Sequence, residues 1–398
     1  MWRLGFFFHE MAFGLLSVFL PLYVIAVGGS LVDVGIMSAS ALFLAIPSSY
    51  FWGYICDRTR RYKRYILLSF LALTVILYFF TLTTSVGLLI ILYALLSIFH
   101  MANEPPKNVL IAELYSRGEW EKTFAFYEGF TEIGLLIGLL LGFLMSTYGF
   151  GAASTLLLCS ILNLVAFFTS LILITDPLLV FERRLVSIEK TIDFAYRGIT
   201  LLSKIWDGVS GNERLRKENV RAFCSGLALF SLASSILFTP LPIFISNTVK
   251  ASALPTSVVF AIYLSNSSGG AIGYFLAGNR SRGSAEKAHI CRIALVRSAL
   301  AFLLIAVVQM PAYNLPLVTT ILILMGFVYA LFLVYTLSLS MELIPAGKAG
   351  LFNVLVGIGG VCGSFTGPFL AQALGFTYVF LTASIIFFLA YIAFRIFA

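Results

Sequence analysis

Charge is scarce in this chain. Asp, Glu, Lys and Arg make up 11% of its 398 residues and hydrophobic types 60%, where a water-soluble domain carries about 25% charge. That balance excludes a soluble globular protein and implies a chain that lives in lipid. Histidine is rarer still, with 3 in all, and cysteine occurs 5 times. Cys56, Cys159, Cys224, Cys291 and Cys362 are widely spaced and include no Cys-x-x-Cys, which argues against a disulfide framework and a thiolate zinc site. His9-Glu10 is followed by Phe13 where a zinc-protease helix needs its second histidine. No Gly-x-x-x-x-Gly-Lys-Ser/Thr loop is present to cradle a nucleotide. Neither an enzyme, a metal site nor a cofactor is expected.

What is present is apolar length. A membrane-spanning helix needs about 20 mostly apolar residues, and twelve runs qualify. They lie near 5–27, 34–56, 65–83, 86–110, 122–146, 150–175, 221–246, 256–278, 289–310, 315–341, 349–373 and 375–397. The first is too long for a signal-peptide core and reads as a retained helix. The chain is therefore expected to be an all-α membrane protein of 12 transmembrane helices. Residues 176–220 form the one long connection, which divides it into a first six-helix bundle (1–175) and a second (221–398). Within the connection Leu185, Ile188, Ile192, Ala195, Ile199, Leu202 and Ile205 recur at helical spacing, as in an amphipathic helix lying on a membrane surface. The halves echo each other. Glu113-Leu114 recurs as Glu342-Leu343, and at the same offset Gly134 recurs as Gly363 and Gly138 as Gly367.

Orientation follows from the bases. With both termini inside, the 26 Lys and Arg fall in inner loops or at the termini, save Lys250 in an outer loop and Arg297 within the ninth span. Such an asymmetry marks the cytoplasmic side. The net charge of +8 is accordingly read as attraction to anionic membrane lipid, not to nucleic acid.

The densest basic loop, residues 52–64, reads WGYICDRTRRYKR. A positive-inside anchor explains its bases but not Gly53 and Asp57 four apart. The stretch resembles the signature between the second and third helices of the major facilitator superfamily of transporters, Gly-x-x-x-Asp-Arg/Lys-x-Gly-Arg/Lys-Arg/Lys. Gly53, Asp57, Arg58 and Arg61 match it, and Arg60 stands where its second glycine would be. The resemblance implies two pseudo-symmetric six-helix bundles, a solute site near the midplane between them, and alternating access. It also implies that Gly53, Asp57, Arg58 and Arg61 act in the conformational switch. Glycine rows on the fifth and eleventh helices, including Gly134, Gly138, Gly363 and Gly367, let helices pack closely and are expected to take part in the rocking of the halves. Leu139 departs from the proline of the family's antiporter motif, and helix four lacks the arginine of its drug–proton antiporters.

Carboxylates inside a membrane are rare and usually face a cavity or a partner. Glu10 lies on the first span, Glu104 on the fourth, and Glu128 and Glu132 on the fifth, accompanied by His9 and His100. At 1.5 Å per residue, His100 and Glu132 sit roughly 15 Å deep and the other acids roughly 8–10 Å. His100/Glu104 and Glu128/Glu132 are each spaced i,i+4 and so share a helix face. The expected arrangement is two polar layers, His100 with Glu132 and Glu104 with Glu128, turned away from the glycine row. Burial and like charge make such carboxyls exchange protons near neutral pH. Glu10, His100, Glu104, Glu128 and Glu132 are therefore the candidate proton-coupling and substrate residues. Arg297 is expected to snorkel.

The expected function is secondary active transport of a small solute across the cytoplasmic membrane. It is driven by a proton or other ion gradient and carried out by a functional monomer, with efflux of a cationic or amphipathic compound favoured. Proton-coupled uptake of a polar nutrient, or a non-transporting sensor on the same scaffold, are the alternatives.

Overall fold

The computed structural model describes residues 2–114, 120–176, 219–249, 255–278, 286–309, 314–343 and 350–397. The amphipathic pattern over 185–205 lies outside them. Among the described residues the only regular structure is α-helix. Lipid offers the backbone no hydrogen bonds, so each apolar run must satisfy its own amides and coils into a helix whatever its side-chain propensity.

The first half contains α1 (Leu4–Ala26), α2 (Leu31–Thr59), α3 (Tyr62–Thr81), α4 (Val86–His100), α5 (Glu104–Leu114), α6 (Trp120–Thr147) and α7 (Ala152–Leu173). The second contains α8 (Val220–Phe238), α9 (Leu241–Thr248), α10 (Pro255–Gly278), α11 (Glu286–Gln309), α12 (Asn314–Leu343), α13 (Gly350–Ala373) and α14 (Phe376–Phe397). Among the described residues the crossings number twelve, because α4 with α5 and α8 with α9 are single crossings broken in the middle. Eleven crossings are long and apolar enough by composition alone. The remaining one, α10, is long enough but carries Ser265, Asn266, Ser267, Ser268, Gly269 and Gly270 at its centre. A polar centre in a membrane helix points inward, to a partner or a cavity.

Helix ends follow local chemistry. Ser30 caps α2 in a reciprocal box with Asp33, the Ser30 amide donating to Asp33 Oδ2 at 2.8 Å and the Asp33 amide to Ser30 Oγ at 3.2 Å. At its other end α2 stops on Arg60, which adopts φ 55°, ψ 28°. This is the left-handed cap that glycine usually supplies. It falls on the position where the family signature has its second glycine.

Packing repeats between the halves. α1 lies against α6 and α7, α3 against α7, and α2 against α4; in the same roles α8 lies against α13 and α14, α11 against α14, and α10 against α12. The halves meet through α2 on α13 and α6 on α10, two interfaces exchanged by the same two-fold relation. Hydrogen bonds join the halves at the end opposite the 58–64 hairpin. There the Val32 amide donates to Gln372 Oε1 at 3.1 Å and Thr147 Oγ1 donates to Ser257 Oγ at 3.2 Å. Ile243 of α9 enters the first half's core, while Val18 and Leu139 enter the second's.

The glycine rows work inside each half. A Cβ on Gly138 would strike the Met11 carbonyl of α1, and one on Gly134 would come within 2.7 Å of the Phe7 carbonyl. Gly363 and Gly367 meet the Leu232 and Ile236 carbonyls of α8 in the same way. The surfaces between halves use other glycines: Gly35 against Pro368, Gly142 against Phe260, and Gly357 against Ile46.

Candidate functional site

The site begins at the break in the fourth crossing. α4 ends at His100, residues 101–103 turn, and α5 restarts at Glu104. Pro105 and Pro106 occupy the first turn of α5, where a missing amide hydrogen costs nothing. Asn103 Nδ2 ties the break to Ser69 Oγ on α3 at 3.1 Å. Glu104 thus sits at a helix N-terminus, where a negative charge is favoured.

One turn on, Lys107 Nζ pairs with Glu104 Oε1 at 2.7 Å. By sequence Lys107 belongs to an inner loop. The structure corrects this: a new helix segment starts at Glu104 with the two prolines in its first turn, so Lys107 is carried inside and is 9% exposed. Its ammonium lies 5.3 Å from the Tyr127 ring centroid, and Tyr127 in turn stacks on Trp2 at 5.9 Å. Glu104, Glu128 and Glu10 all lie within electrostatic reach of Lys107. Glu10 also feels Glu128, Glu104 and Glu132. Three carboxylates from α1, α5 and α6 therefore share one cation, with Glu132 within reach of Glu10 and Glu128, and the cluster is electronegative when the acids are ionised.

Of the two expected layers, the one with Glu104 and Glu128 is present, with Lys107 completing it. The other divides. Glu132 faces across the interface, its carboxylate beside Ser267 at the polar centre of α10. Gly270, one turn further along α10, leaves room beside its carboxylate, a Cβ there standing 3.7 Å from Glu132 Oε1. His100 turns instead to α1, its Nδ1 lying 3.1 Å from His9 Nε2. His9 Nδ1 is 2.8 Å from Asn163 Oδ1 on α7. Glu128 is exposed, Glu132, Glu10 and Glu104 are half-buried, and His9 is buried.

In the second half Arg297 does not snorkel. It is 1% exposed, because its face of α11 turns toward α8, α12 and α14 and not toward lipid. The guanidinium carbon stands 5.2 Å from the Phe230 ring centroid, 5.4 Å from Phe238, 5.0 Å from Tyr329 and 5.2 Å from Phe387. Nη1 donates to Ser234 Oγ at 3.2 Å, and Nε has no hydrogen-bond partner. Tyr329 lies within electrostatic reach of both Arg297 and Glu132, and so links this box to the interface. Most other hydroxyls and amides here are satisfied by main chain: Ser268 by Leu264, Asn266 by Leu322 and Ser231 by Val356.

The hairpin residues are at the far end of α2. Gly53 lies against Pro105 of α5, Asp57 is exposed and within electrostatic reach of Arg60, and Arg58 Nη1 donates to Tyr54 OH at 3.3 Å. Lys63 binds the end of α7, its amide donating to Asp176 Oδ1 at 2.7 Å and its Nζ to the Leu171 carbonyl at 2.6 Å.

Sequence reasoning missed Lys107 and Asn163 and set His9 apart from His100. Two signals pointed to them: the i,i+3 spacing of Glu104 and Lys107, and a lone amide at Asn163 in an otherwise apolar run.

Comparison with known proteins agrees with this architecture. No curated protein matches the chain in a direct search. Among solved structures, the nucleoside transporter NupG is similar over 100% of this chain and 98% of its own, with a TM-score of 0.74 at 14% identity. A structure from work on substrate recognition in proton dependent oligopeptide transporters is similar over 99% of this chain and 95% of its own, with a TM-score of 0.75 at 13% identity. At such identities the likeness is one of fold. The family description Major Facilitator Superfamily matches residues 4–353, and with twelve crossings in two related halves the chain belongs to that superfamily of membrane transporters.

Proposed function

We propose that this protein is a secondary active transporter that moves a small organic solute by alternating access and is driven by protons. The observation that carries the reading is Glu132. It belongs to a carboxylate cluster of the first half yet stands beside Ser267 and Gly270 of the second, so its protonation state bears on the contact that must break and re-form as the halves rock. Glu10, Glu104, Glu128 and His100 complete the coupling and binding surface. Gly53, Asp57, Arg58 and Arg61, with the Gly134, Gly138, Gly363 and Gly367 packing rows, form the mechanical part.

Two further features support details of this reading. The bases of the 58–64 hairpin fit a cytoplasmic location, and the hydrogen bonds Val32–Gln372 and Thr147–Ser257 join the halves at the other end, which supports a state open to the cytoplasm. Beside the acids lie the rings of Phe7 and Phe130, 5.1 Å apart, and net negative charge flanked by aromatic rings suits a cationic, amphipathic solute. Export of such a compound in exchange for protons is the direction we favour, across the plasma membrane and by a single chain.

The test has two stages. Purified protein is first screened with organic cations and with polar nutrients for ligand-induced thermal stabilisation, since binding to the folded state raises apparent stability by mass action. Flux of the best stabiliser is then measured in proteoliposomes with and without an imposed pH gradient. Accumulation against its own gradient, only when protons flow the other way, is expected. Flux indifferent to the pH gradient would refute the coupling, and the absence of any flux would point to the sensor alternative.

A further inference from the structure

We propose that His9 and His100 form one proton-binding site, anchored by Asn163 and loaded through His100. The proposal rests on the proton-coupled reading above and adds to it the residues that store the proton and the direction from which it arrives.

Hydrogen bonding assigns the protons. Asn163 Nδ2 donates to the Cys159 carbonyl at 3.0 Å, which orients the amide so that Oδ1 faces His9. An amide oxygen only accepts, so His9 carries its hydrogen on Nδ1 and presents a bare Nε2. That nitrogen accepts from His100 Nδ1–H across 3.1 Å. In the neutral pair the one basic nitrogen left is therefore His100 Nε2. A proton arriving there makes His100 an imidazolium. Its Nδ1 proton then passes to His9 Nε2, and His100 returns to neutrality with its hydrogen on Nε2. Only N–H bonds change, and no other reactant is needed. Asn163 accepts from the far nitrogen of His9 and cannot pass the charge on, so the pair is a store and not a through-going wire.

The surroundings fit that task. Ring faces of Phe13 and Phe70 lie 4.7 Å and 4.9 Å from His9, and Phe13 lies 4.6 Å from His100, where they favour a cation when one forms. His100 also forms part of the wall of a cavity of about 310 Å³ together with Phe13, Leu42, Tyr93, Ser97 and Met101. A Cβ added at Gly360 of the second half would stand 3.4 Å from Leu42 Cδ1, so the cavity adjoins the moving interface. The charged groups that act on the pair come from α5: Glu104 and Lys107 reach His100, and Lys107 reaches His9. Glu10 of α1 and Glu128 of α6 bear on Lys107. α3 presents Phe70, α2 presents Ser38, and α7 adds Cys159, whose thiol lies on the Ala12 carbonyl at 3.7 Å. A charged pair would give Glu104 a second cation to answer besides Lys107.

With 3 histidines in the chain, the test is direct. Full-length protein labelled with ¹⁵N-histidine in lipid nanodiscs is titrated by NMR, with His289 as the internal control. We expect His9 and His100 to titrate in two linked steps, as strongly coupled sites do, and a coupling across the hydrogen bond between His9 Nε2 and His100 Nδ1. His100→Gln should move the His9 midpoint by about one pH unit or more, and Asn163→Leu should free the His9 tautomer. Independent one-step curves, unaltered by replacing the other histidine, would overturn the proposal. If His100→Gln does not fold, absence of the through-bond coupling in the wild type at every pH would overturn it equally. The two readings fail separately. Linked titration in a protein whose flux ignores the pH gradient would sink the coupling and leave the store, whereas independent titration beside gradient-driven flux would do the reverse.

Discussion

At the scale of single residues, position relative to the interface separates the four carboxylates. A permanent charge on Glu132 would cost several kcal/mol within the membrane, and its neighbour Ser267 belongs to the opposite half. Glu132→Gln keeps the shape and the capacity to hydrogen-bond but cannot exchange a proton. It should fold, lose accumulation driven by an imposed pH gradient, and retain solute exchange; full accumulation would remove this carboxylate from the coupling. Lys107 makes a different prediction. Its ion pair with Glu104 is partly wet, the Glu104 side chain being 34% exposed. Lys107→Met should therefore cost about 1–3 kcal/mol, less than the about 3–5 of a fully buried pair. Glu104→Gln added to it should recover part of the loss, because the carboxylate that Lys107 bonds directly is then neutral, while Glu10 and Glu128 keep theirs. Thermal unfolding of the two single variants and the double measures this as a cycle; additive losses would mean that the two side chains are uncoupled.

At the scale of elements, the helices are specified by what interrupts them. Arg60 holds a left-handed cap at φ 55°, a conformation that costs a residue with a side chain roughly 1–2 kcal/mol. Arg60→Gly should stabilise the hairpin by about 1 kcal/mol, read as a rise in melting temperature; a fall would mean that the guanidinium outweighs the strain. Glycines inside helices divide by what surrounds them. Gly138 lies so close to Met11 of α1 that even a methyl group would strike its carbonyl, whereas Gly87 has nothing within 4 Å. Gly138→Ala should part α1 from α6 and lower the melting temperature sharply. Gly87→Ala should raise it slightly, stabilising the fold by about 0.5–1 kcal/mol, because alanine is the better helix former. Equal effects at the two sites would contradict the packing described.

For the molecule as a whole, the mechanism requires the joined end to part. Val32 and Gln372 face each other across α2 and α13, 3.1 Å apart at their polar atoms. Cysteines at these positions in a background without other cysteines, joined by a short bifunctional thiol reagent, should abolish net flux, and a cleavable reagent should restore it on reduction. Undiminished flux from the linked protein would mean that these ends stay together throughout the cycle.

The sequence by itself determined the membrane class, the number of crossings, the division into related halves and the rows of close packing. These depend on apolar length, loop charge and residue spacing, all of which lie along the chain. It also placed Glu104 and Glu128 in one layer, because both spacings and depths can be counted along two antiparallel helices. Only the tertiary structure decided which polar groups meet. Helix rotation aimed Glu132 at Ser267, and the break after His100 turned that ring toward His9 and Asn163. The helix segment that restarts at Glu104 drew Lys107 out of a loop and into the cluster. Arg297 was enclosed by rings from three other helices instead of reaching for water. Each of these outcomes depends on the direction in which a side chain leaves its helix and on what the neighbouring helix presents there. Such directions are settled when helices pack.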